Sequence, residues 1–583
     1  MFATNRPRPL SSTDYFRPAP GWKVARAGFL LSLSLLLAAP QVRVLGADEQ
    51  KPEPTPQPAP DAKALRQQMD RGRLLYVQNC LVCHQVSGQG VSGVYPPLAK
   101  ADFLMEQKER SIRALCEGLS GEITVNGQKY DGIMPVMLLD DTQVADVLTY
   151  ARNSWGNSSA PITPDEVKTV RAKTGYATFE ALKQIGSFAP LPQAPPGFAL
   201  REVVKLPQHG NRMASDGTGK TLYLLCGGGD IWRLDPASSQ LRQTIWAKTY
   251  LEQRPGDLGG PVFVLGLAMD KQKRLYILSN QQNKSTLPVQ NIVTVYRTTT
   301  FTNGNPVEPK PWLQVSYPGN SSYLHGAEHL AFGPDGFLYI GNGARTDANQ
   351  SNPDPNYYSG GETPITACIW RVDPSQEKPD FEVFARGIRN AYGFCWNTQG
   401  EMFATENGPD AHAPEELNLI EKGKHYGFPY QFADWTQKAY SHTPDPPPGL
   451  EFTLPIPNLG PAGGFDGKPI STFDPHSSPG GIVYLDDRFP EGYRGTFLLT
   501  RFGNFIREPK DNVGFDVLHV TLRKNTAGTY EAKIETLLAP LGRPIDIHVT
   551  GKGAIYICEY SRPTNNHLSF SLPGRILELT VKK

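Results

Sequence analysis

The chain has no apolar run long enough to span a bilayer, no surplus of either charge, and too few cysteines for a disulfide scaffold. The apolar run at residues 27–39, behind Arg26, falls short of the roughly 20 residues a spanning helix needs and has the length of a signal-peptide core. Small residues follow in Val44-Leu45-Gly46-Ala47, so residues 1–47 read as an export leader. About 25 residues precede the apolar core, which leaves an uncleaved membrane anchor as the alternative. Lys and Arg number 58 against 57 Asp and Glu, a formal net charge of +1 without a basic block, and this argues against a nucleic-acid partner. Seven cysteines are present. Once the pair Cys80 and Cys83 is set aside, Cys116, Cys226, Cys368, Cys395 and Cys558 form an odd, widely spaced remainder that reads as buried free thiols.

Glycine and proline are plentiful, at 56 and 53 of 583 residues, beside 39% hydrophobic residues. That mixture suits a turn-rich β protein. The length exceeds what one core can fill and points to two or three domains. Lys51-Pro52-Glu53-Pro54-Thr55-Pro56-Gln57-Pro58-Ala59-Pro60 alternates proline and reads as an extended, semi-rigid linker over residues 48–62.

The clearest chemical signal is Cys80-Leu81-Val82-Cys83-His84. Two thiols three apart, followed directly by an imidazole, fit covalent attachment of haem c, with His84 as the proximal iron ligand. A zinc site would need a second ligand pair at matching spacing, and none stands nearby in the sequence. Methionine is the usual second ligand where the task is electron transfer. Met134, in Gly132-Ile133-Met134-Pro135, is the expected one because glycine and proline shape a loop around it, and Met137 is the fallback. Residues 138–152 carry apolar side chains at helical spacing behind an Asp/Thr cap and should close the small domain, assigned to residues 63–157. Its end, Thr149-Tyr150-Ala151-Arg152-Asn153-Ser154-Trp155-Gly156-Asn157, resembles the closing helix of cytochrome domains that accompany periplasmic quinoprotein dehydrogenases.

A connector over residues 158–196 follows, with a short helix from Thr163 to Lys173 and a proline-rich end. Beyond it a phrase recurs: Thr221-Leu222-Tyr223-Leu224, Arg274-Leu275-Tyr276-Ile277, Phe337-Leu338-Tyr339-Ile340, Glu401-Met402-Phe403-Ala404, Gly495-Thr496-Phe497-Leu498 and Ala554-Ile555-Tyr556-Ile557. Turns such as Gly333-Pro334-Asp335-Gly336 precede several copies, and outer strands such as Asp230-Ile231-Trp232-Arg233-Leu234 follow. Each unit is a sheet that cannot bury both faces alone, so the six copies predict a ring. The fold class is therefore an all-β six-bladed propeller over residues 197–583 with a small all-α cytochrome c domain. The widest gap between copies holds a Pro/Gly-rich insertion from Thr436 to Gly467 that lacks a strand pattern and reads as a loop over one mouth of the propeller, where it would either shape a substrate entrance or merely decorate the surface.

Propeller ligands sit where loops from several blades converge. Four stretches qualify: Tyr323 to Leu330, Arg386 to Gly393 with Thr405 to Asp410, Leu498 to Gly503, and Gly542 to Asp546. Taken in order, with Glu416-Leu417-Asn418-Leu419-Ile420 and Lys424-His425-Tyr426-Gly427-Phe428-Pro429, they resemble the soluble sugar dehydrogenases that use pyrroloquinoline quinone (PQQ), a family that includes glucose, aldose sugar and sorbosone-type dehydrogenases. The resemblance implies PQQ and Ca²⁺ at the channel mouth, with the carbonyls of Gly408 and Pro409 on the metal. It implies Arg389, Asn390, Arg501 and Arg543 on the cofactor and His325 as the catalytic base. Two departures accompany it. Arg501 stands where soluble glucose dehydrogenase has lysine, and Gly341-Asn342 stands where that family orients the base with an aspartate. An amide there would hold the ring without stabilising its charge, making His325 a weaker base.

The expected function is a periplasmic or secreted dehydrogenase that oxidises a sugar or related alcohol or aldehyde at PQQ and passes electrons to its own haem c, then to a cytochrome or oxidase. The alternative is a haem-bearing propeller binding protein that has lost the quinone. Haem-based catalysis is a third reading, and it fails if Met134 closes the sixth position of the iron.

Overall fold

The computed structural model describes residues 62–90, 95–134, 137, 139–174, 190–251, 258–321, 325–352, 354–411, 413–435, 438–463, 472–504, 513–561 and 573–582. The expected leader and nearly all of the proline linker lie outside these residues. Residues 60–583 form one compact unit. No helix among the described residues is long and apolar enough to cross a membrane.

The N-terminal part is helical: α1 Ala62–Asn79, α2 Leu81–His84, α3 Asp102–Met105, α4 Lys108–Glu117, α5 Asp141–Ala151 and α6 Pro164–Arg171. The cap expected before residues 138–152 is Asp140. Its carboxylate accepts from Gln143 N at 2.8 Å while Gln143 Oε1 accepts from Asp140 N at 2.9 Å, a reciprocal box that stabilises the helix start by about 1 kcal/mol. Thr163 and Glu166 do the same for α6, which begins at a proline whose missing N–H is not needed there. α1 crosses α5 closely because position 72 is glycine, where a Cβ would lie 2.0 Å from the Asp146 carbonyl. Arg71 forks onto the Asp146 carboxylate at the same crossing, at 2.7 and 2.9 Å. Sequence reading did not include a hairpin here. β1 (Leu119–Val125) and β2 (Gln128–Met134) pair antiparallel between α4 and α5.

Six sheets follow around a ring, occupying residues 210–245, 259–318, 327–386, 391–473, 479–538, and 544–581 with 198–205. All six copies of the repeated phrase fall on the second strand of their blade: Leu222–Cys226, Leu275–Asn283, Leu338–Asn342, Met402–Glu406, Thr496–Arg501 and Ile555–Glu559. These strands are buried on both faces, so their signal is a continuous apolar run rather than alternation. The strand after them, expected on the outside, is third of four, with Gln240–Ile245 or Phe381–Arg386 beyond it. Closure is by Phe198–Lys205, which pairs antiparallel with Arg575–Val581 and so joins the first propeller strand to the last.

Two features fix the axis. Glycines let inner strands approach: a Cβ on Gly393 would lie 2.4 Å from the Gly480 carbonyl, and one on Gly480 would lie 2.7 Å from that of Ile545. Arg212 of the first blade, only 1% exposed, donates to the carbonyls of Leu265, Glu328 and Tyr392, lies over the Tyr392 ring at 4.0 Å, and stands 3.6 Å from Asp546. One guanidinium thus ties the first blade to the second, third, fourth and sixth.

The Pro/Gly-rich insertion is not strandless, as its sequence suggests. Asn458–Pro461 adds a parallel strand to the edge of the fifth blade, at Ala532 and Ile534. Backbone pairing at an edge needs no side-chain alternation, which is why pattern reading missed it.

Candidate active site

The haem motif lies at the junction of α1 and α2. Cys80 N donates to Tyr76 O and His84 N to Cys80 O, so Cys80, Cys83 and His84 follow one another around a turn. Burial pushes the two thiols up, to about 12 and about 11. His84 Nδ1 lies 3.0 Å from the Pro96 carbonyl, an arrangement that puts the ring proton on Nδ1 and leaves Nε2 bare for a metal. Trp155 Nε1 donates to Val86 O at 2.9 Å and its ring packs on Tyr76 and Tyr150, clasping the end of the domain over the motif. Met134 ends β2, half-buried against the core of this domain, and Met137 is buried within that core with its N–H on Leu115 O.

At the propeller mouth His325 stands just before the first strand of the third blade, Ala327–Phe332, with its side chain 21% exposed. The pairing of that strand with Leu338–Asn342 slips between Ala327 and His329. This bulge leaves Glu328 outside the ladder and turns its carboxylate toward His325. His325 Nδ1 lies 3.1 Å from Glu328 Oε1, and Asn390 Nδ2 donates to Glu328 Oε2 at 3.0 Å while lying 3.0 Å from His325 Nδ1. Asn342, expected beneath the base, is elsewhere: it accepts from Tyr317 Oη and donates to Ile365 O. Its strand position points it away, and the expectation of an uncharged partner for His325 is replaced by a carboxylate three residues along the chain.

Arg389 is buried between two carboxylates, with Nε on Asp347 at 2.9 Å and an Nη on Asp410 at 3.0 Å, and these anions hold its charge. Its backbone N–H donates to Glu406, whose carboxyl is pushed up by burial and by Glu416. The turn Asn407-Gly408-Pro409 follows. Gly408 N donates to Glu415, and a Cβ on Gly408 would lie 2.7 Å from Pro414 O, so this close approach requires glycine. Asn407 Oδ1 is a buried acceptor with no partner among the described residues. From the insertion, Tyr440 Oη donates to Asp347 Oδ2 and His442 Nε2 lies 3.0 Å from Asp347 O, their rings stacked at 4.8 Å. The insertion therefore reaches the same carboxylate that holds Arg389.

The other two arginines differ. Arg501 spans Asp516, through two bonds of 2.9 and 2.6 Å, and Asp474 at 3.1 Å. Arg543 is fully buried between the rings of Phe502 and Phe515 and donates to the carbonyls of Gly503 and Asn504. Burial outweighs the favourable effect of Tyr560, Tyr95 and Cys83 and pushes it down, to about 9. Tyr95 and Cys83 belong to the haem domain. Burial, first, and then the neighbouring Cys83 and Asp410 push the Tyr95 hydroxyl up, while Arg543 acts the other way. The haem motif and Arg543 therefore lie close enough for their charges to act on each other, and Phe263 of the second blade packs against the haem-domain core.

His325, Asn390, Arg389 and the Gly408-Pro409 turn are brought together by direct contacts through Glu328, Asp347, Asp410 and Asn407. Arg543 bonds instead to the Gly503 and Asn504 carbonyls, and the Arg501 guanidinium is turned into its own ion pairs. Sequence reasoning missed Glu328, Asp347, Asp410, Tyr95 and Tyr440. Glu328 and Asp410 left a signal, as carboxylates inside the His325 and Thr405–Asp410 stretches, and Tyr440 lies in the Pro/Gly-rich insertion.

Comparison with known proteins agrees with this architecture. The glucose/sorbosone dehydrogenase family matches residues 263–565, just over half of the chain, and the cytochrome c family matches residues 69–155. Cytochrome c-552 of Thermus thermophilus is 40% identical over 112 residues, 18% of this chain and 85% of that protein. Quinoprotein glucose dehydrogenase B of Acinetobacter calcoaceticus is 25% identical over 299 residues, 45% of this chain and 60% of that protein. The PQQ-bound aldose sugar dehydrogenase of Streptomyces coelicolor superposes with a TM-score of 0.42 at 18% identity, covering 67% of this chain and all of that one. The chain belongs to the glucose/sorbosone dehydrogenase family, with a cytochrome c domain joined ahead of its propeller.

Proposed function

We propose that the protein is an exported quinohaemoprotein that oxidises a sugar or a related alcohol or aldehyde at PQQ and passes the electrons to its own haem c. The observations that carry this reading are the packing of Phe263, from the second blade, against the core of the haem domain and the electrostatic influence of Arg543 on both Cys83 and Tyr95.

The residues present fit both groups. Cys80, Cys83 and His84 would hold the haem, with Met134 as its second ligand. Arg389, Asn390 and Arg543 would face a planar polyanion, and an anion is what a deeply buried guanidinium such as Arg543 requires. The orphaned Asn407 oxygen beside the Gly408 and Pro409 carbonyls is a hard-oxygen environment of the kind Ca²⁺ takes. Bound there, PQQ would supply the hydride-accepting carbon and haem c the one-electron exit.

This chain's own part is positioning and proton removal. Asp347 and Asp410 fix the Arg389 guanidinium, so little side-chain entropy remains to be lost when an anion binds. His325, whose Nδ1 is held against Glu328, would use Nε2 to take the proton of the substrate hydroxyl, and its side chain is accessible enough to do so. Tyr440 and His442 would form one wall of the entrance.

Reconstitution with PQQ and Ca²⁺, followed by a sugar panel and an artificial dye, tests the reading. Dye reduction is expected, and His325→Ala should slow it by about 10²- to 10⁴-fold with cofactor affinity unchanged. A protein that takes up no quinone and reduces no dye would favour the binding-protein alternative.

A further inference from the structure

Asn342, which the resemblance put beside the base, bonds to Tyr317 and Ile365 instead, and Glu328 is 7% exposed. Its two carboxylate oxygens are divided between His325 Nδ1 at 3.1 Å and Asn390 Nδ2 at 3.0 Å. The bulge at Ala327/His329 puts it there, and Arg212 holds its backbone carbonyl from the axis. We propose that Glu328 is the positioning residue of His325, and that it selects the tautomer with the proton on Nδ1 and a bare Nε2.

The chemistry follows from the triangle of contacts. A bare Nδ1 would aim its lone pair at a carboxylate oxygen, which is repulsive, so the proton must lie between Nδ1 and Oε1. Nε2 is then the free acceptor, and the charge formed when it takes a proton is met by the carboxylate behind the ring. Asn390 alone would do the opposite. Its Nδ2 is 3.0 Å from Nδ1. Without Glu328 its amide would donate to Nδ1 and push the ring proton to Nε2, where it blocks proton uptake. Among the described residues, Glu328 touches this ring, and Asp410, itself paired with Arg389, is close enough for charge on the ring to act on it.

This inference rests on His325 being the base, but its test reads the ring in the cofactor-free protein. In ¹⁵N-histidine-labelled protein, with the His325 signals assigned by their loss in His325→Gln, solid-state NMR should show protonated Nδ1 and bare Nε2. Glu328→Ala should invert that pattern. An Nε2–H tautomer in the wild type, or an unchanged tautomer in Glu328→Ala, would overturn the proposal. Should the alanine variant not fold, the wild-type tautomer decides alone. In reconstituted protein, Glu328→Ala should also slow quinone reduction by about 10²- to 10⁴-fold. An inverted tautomer with an unaltered rate would leave the Glu328 pairing standing and instead remove His325 from the chemistry.

Discussion

Arg389 and Arg501 are both buried and both paired with aspartates, yet the structure gives them different work. Arg389 pairs with Asp410, whose side chain is half exposed and whose charge also acts on Tyr95 of the haem domain. Arg501 is closed in by Asp516 and Asp474, with side-chain exposures of 7% for the arginine and 6% for Asp516. Removing one member of such a pair strands the other, at a cost of about 3–5 kcal/mol. Arg501→Ala should therefore lower the urea midpoint of the cofactor-free protein strongly and leave the affinity of the refolded protein for PQQ nearly unchanged. An unaltered midpoint with lost cofactor binding would return Arg501 to the set of cofactor ligands. Residues whose chemistry is carried by local spacing were legible in the sequence: Cys80-x-x-Cys83-His84 lands on one turn because helical geometry dictates it. Residues whose role depends on a distant partner were not. Nothing in the order of residues says that Asp347 and Asp410, 63 apart, share one guanidinium.

At the level of elements, the first two strands of every blade slip register near the mouth, as at Gly210/Arg212, Gly259/Val262, Ala327/His329, Ala391/Gly393, Pro479/Ile482 and Pro544/Asp546. Repeated apolar phrases revealed the second strands because burial on both faces writes a run. The bulges that aim Glu328 left no mark, since an extra residue breaks alternation without replacing it by another period. Blade contacts also carry a pH dependence. His548, in Pro544–Val549 of the sixth blade, meets Ser215 Oγ of the first at 2.8 Å, and burial pushes it down to about 4 from an ordinary value near 6.5. Below about pH 6.5 the unfolded chain binds the proton that the folded chain refuses, so this contact's stability is full above that value and is lost as pH falls toward about 4. The loss is at most about 3 kcal/mol. Comparing urea midpoints at about pH 7.5 and about pH 5 should show a smaller acid loss in His548→Gln than in the wild type. Equal losses would mean that other groups set the slope.

For the molecule as a whole, Phe198–Lys205 closes the ring, and the haem domain belongs to the same compact unit as the propeller. Linking two redox centres makes their encounter intramolecular, equivalent to a local concentration of about millimolar. The two-domain order and the propeller were legible because each domain writes its own period. The placing of one beside the other was not, because residues whose charges act on each other there, Cys83 and Tyr95 with Arg543, stand more than 400 apart in sequence. Replacing both Cys80 and Cys83 by serine should leave substrate-driven reduction of the quinone intact and remove the chain's own exit route, so that electrons reach an added cytochrome far more slowly.

Stopped-flow mixing of the fully reconstituted protein with sugar, watching haem absorbance at several protein concentrations, tests the proposed electron path most directly. Haem reduction should follow quinone reduction as a first-order step whose rate constant does not change with protein concentration. A rate that scales with protein concentration, or a haem that stays oxidised while the quinone is reduced, would contradict transfer within the chain.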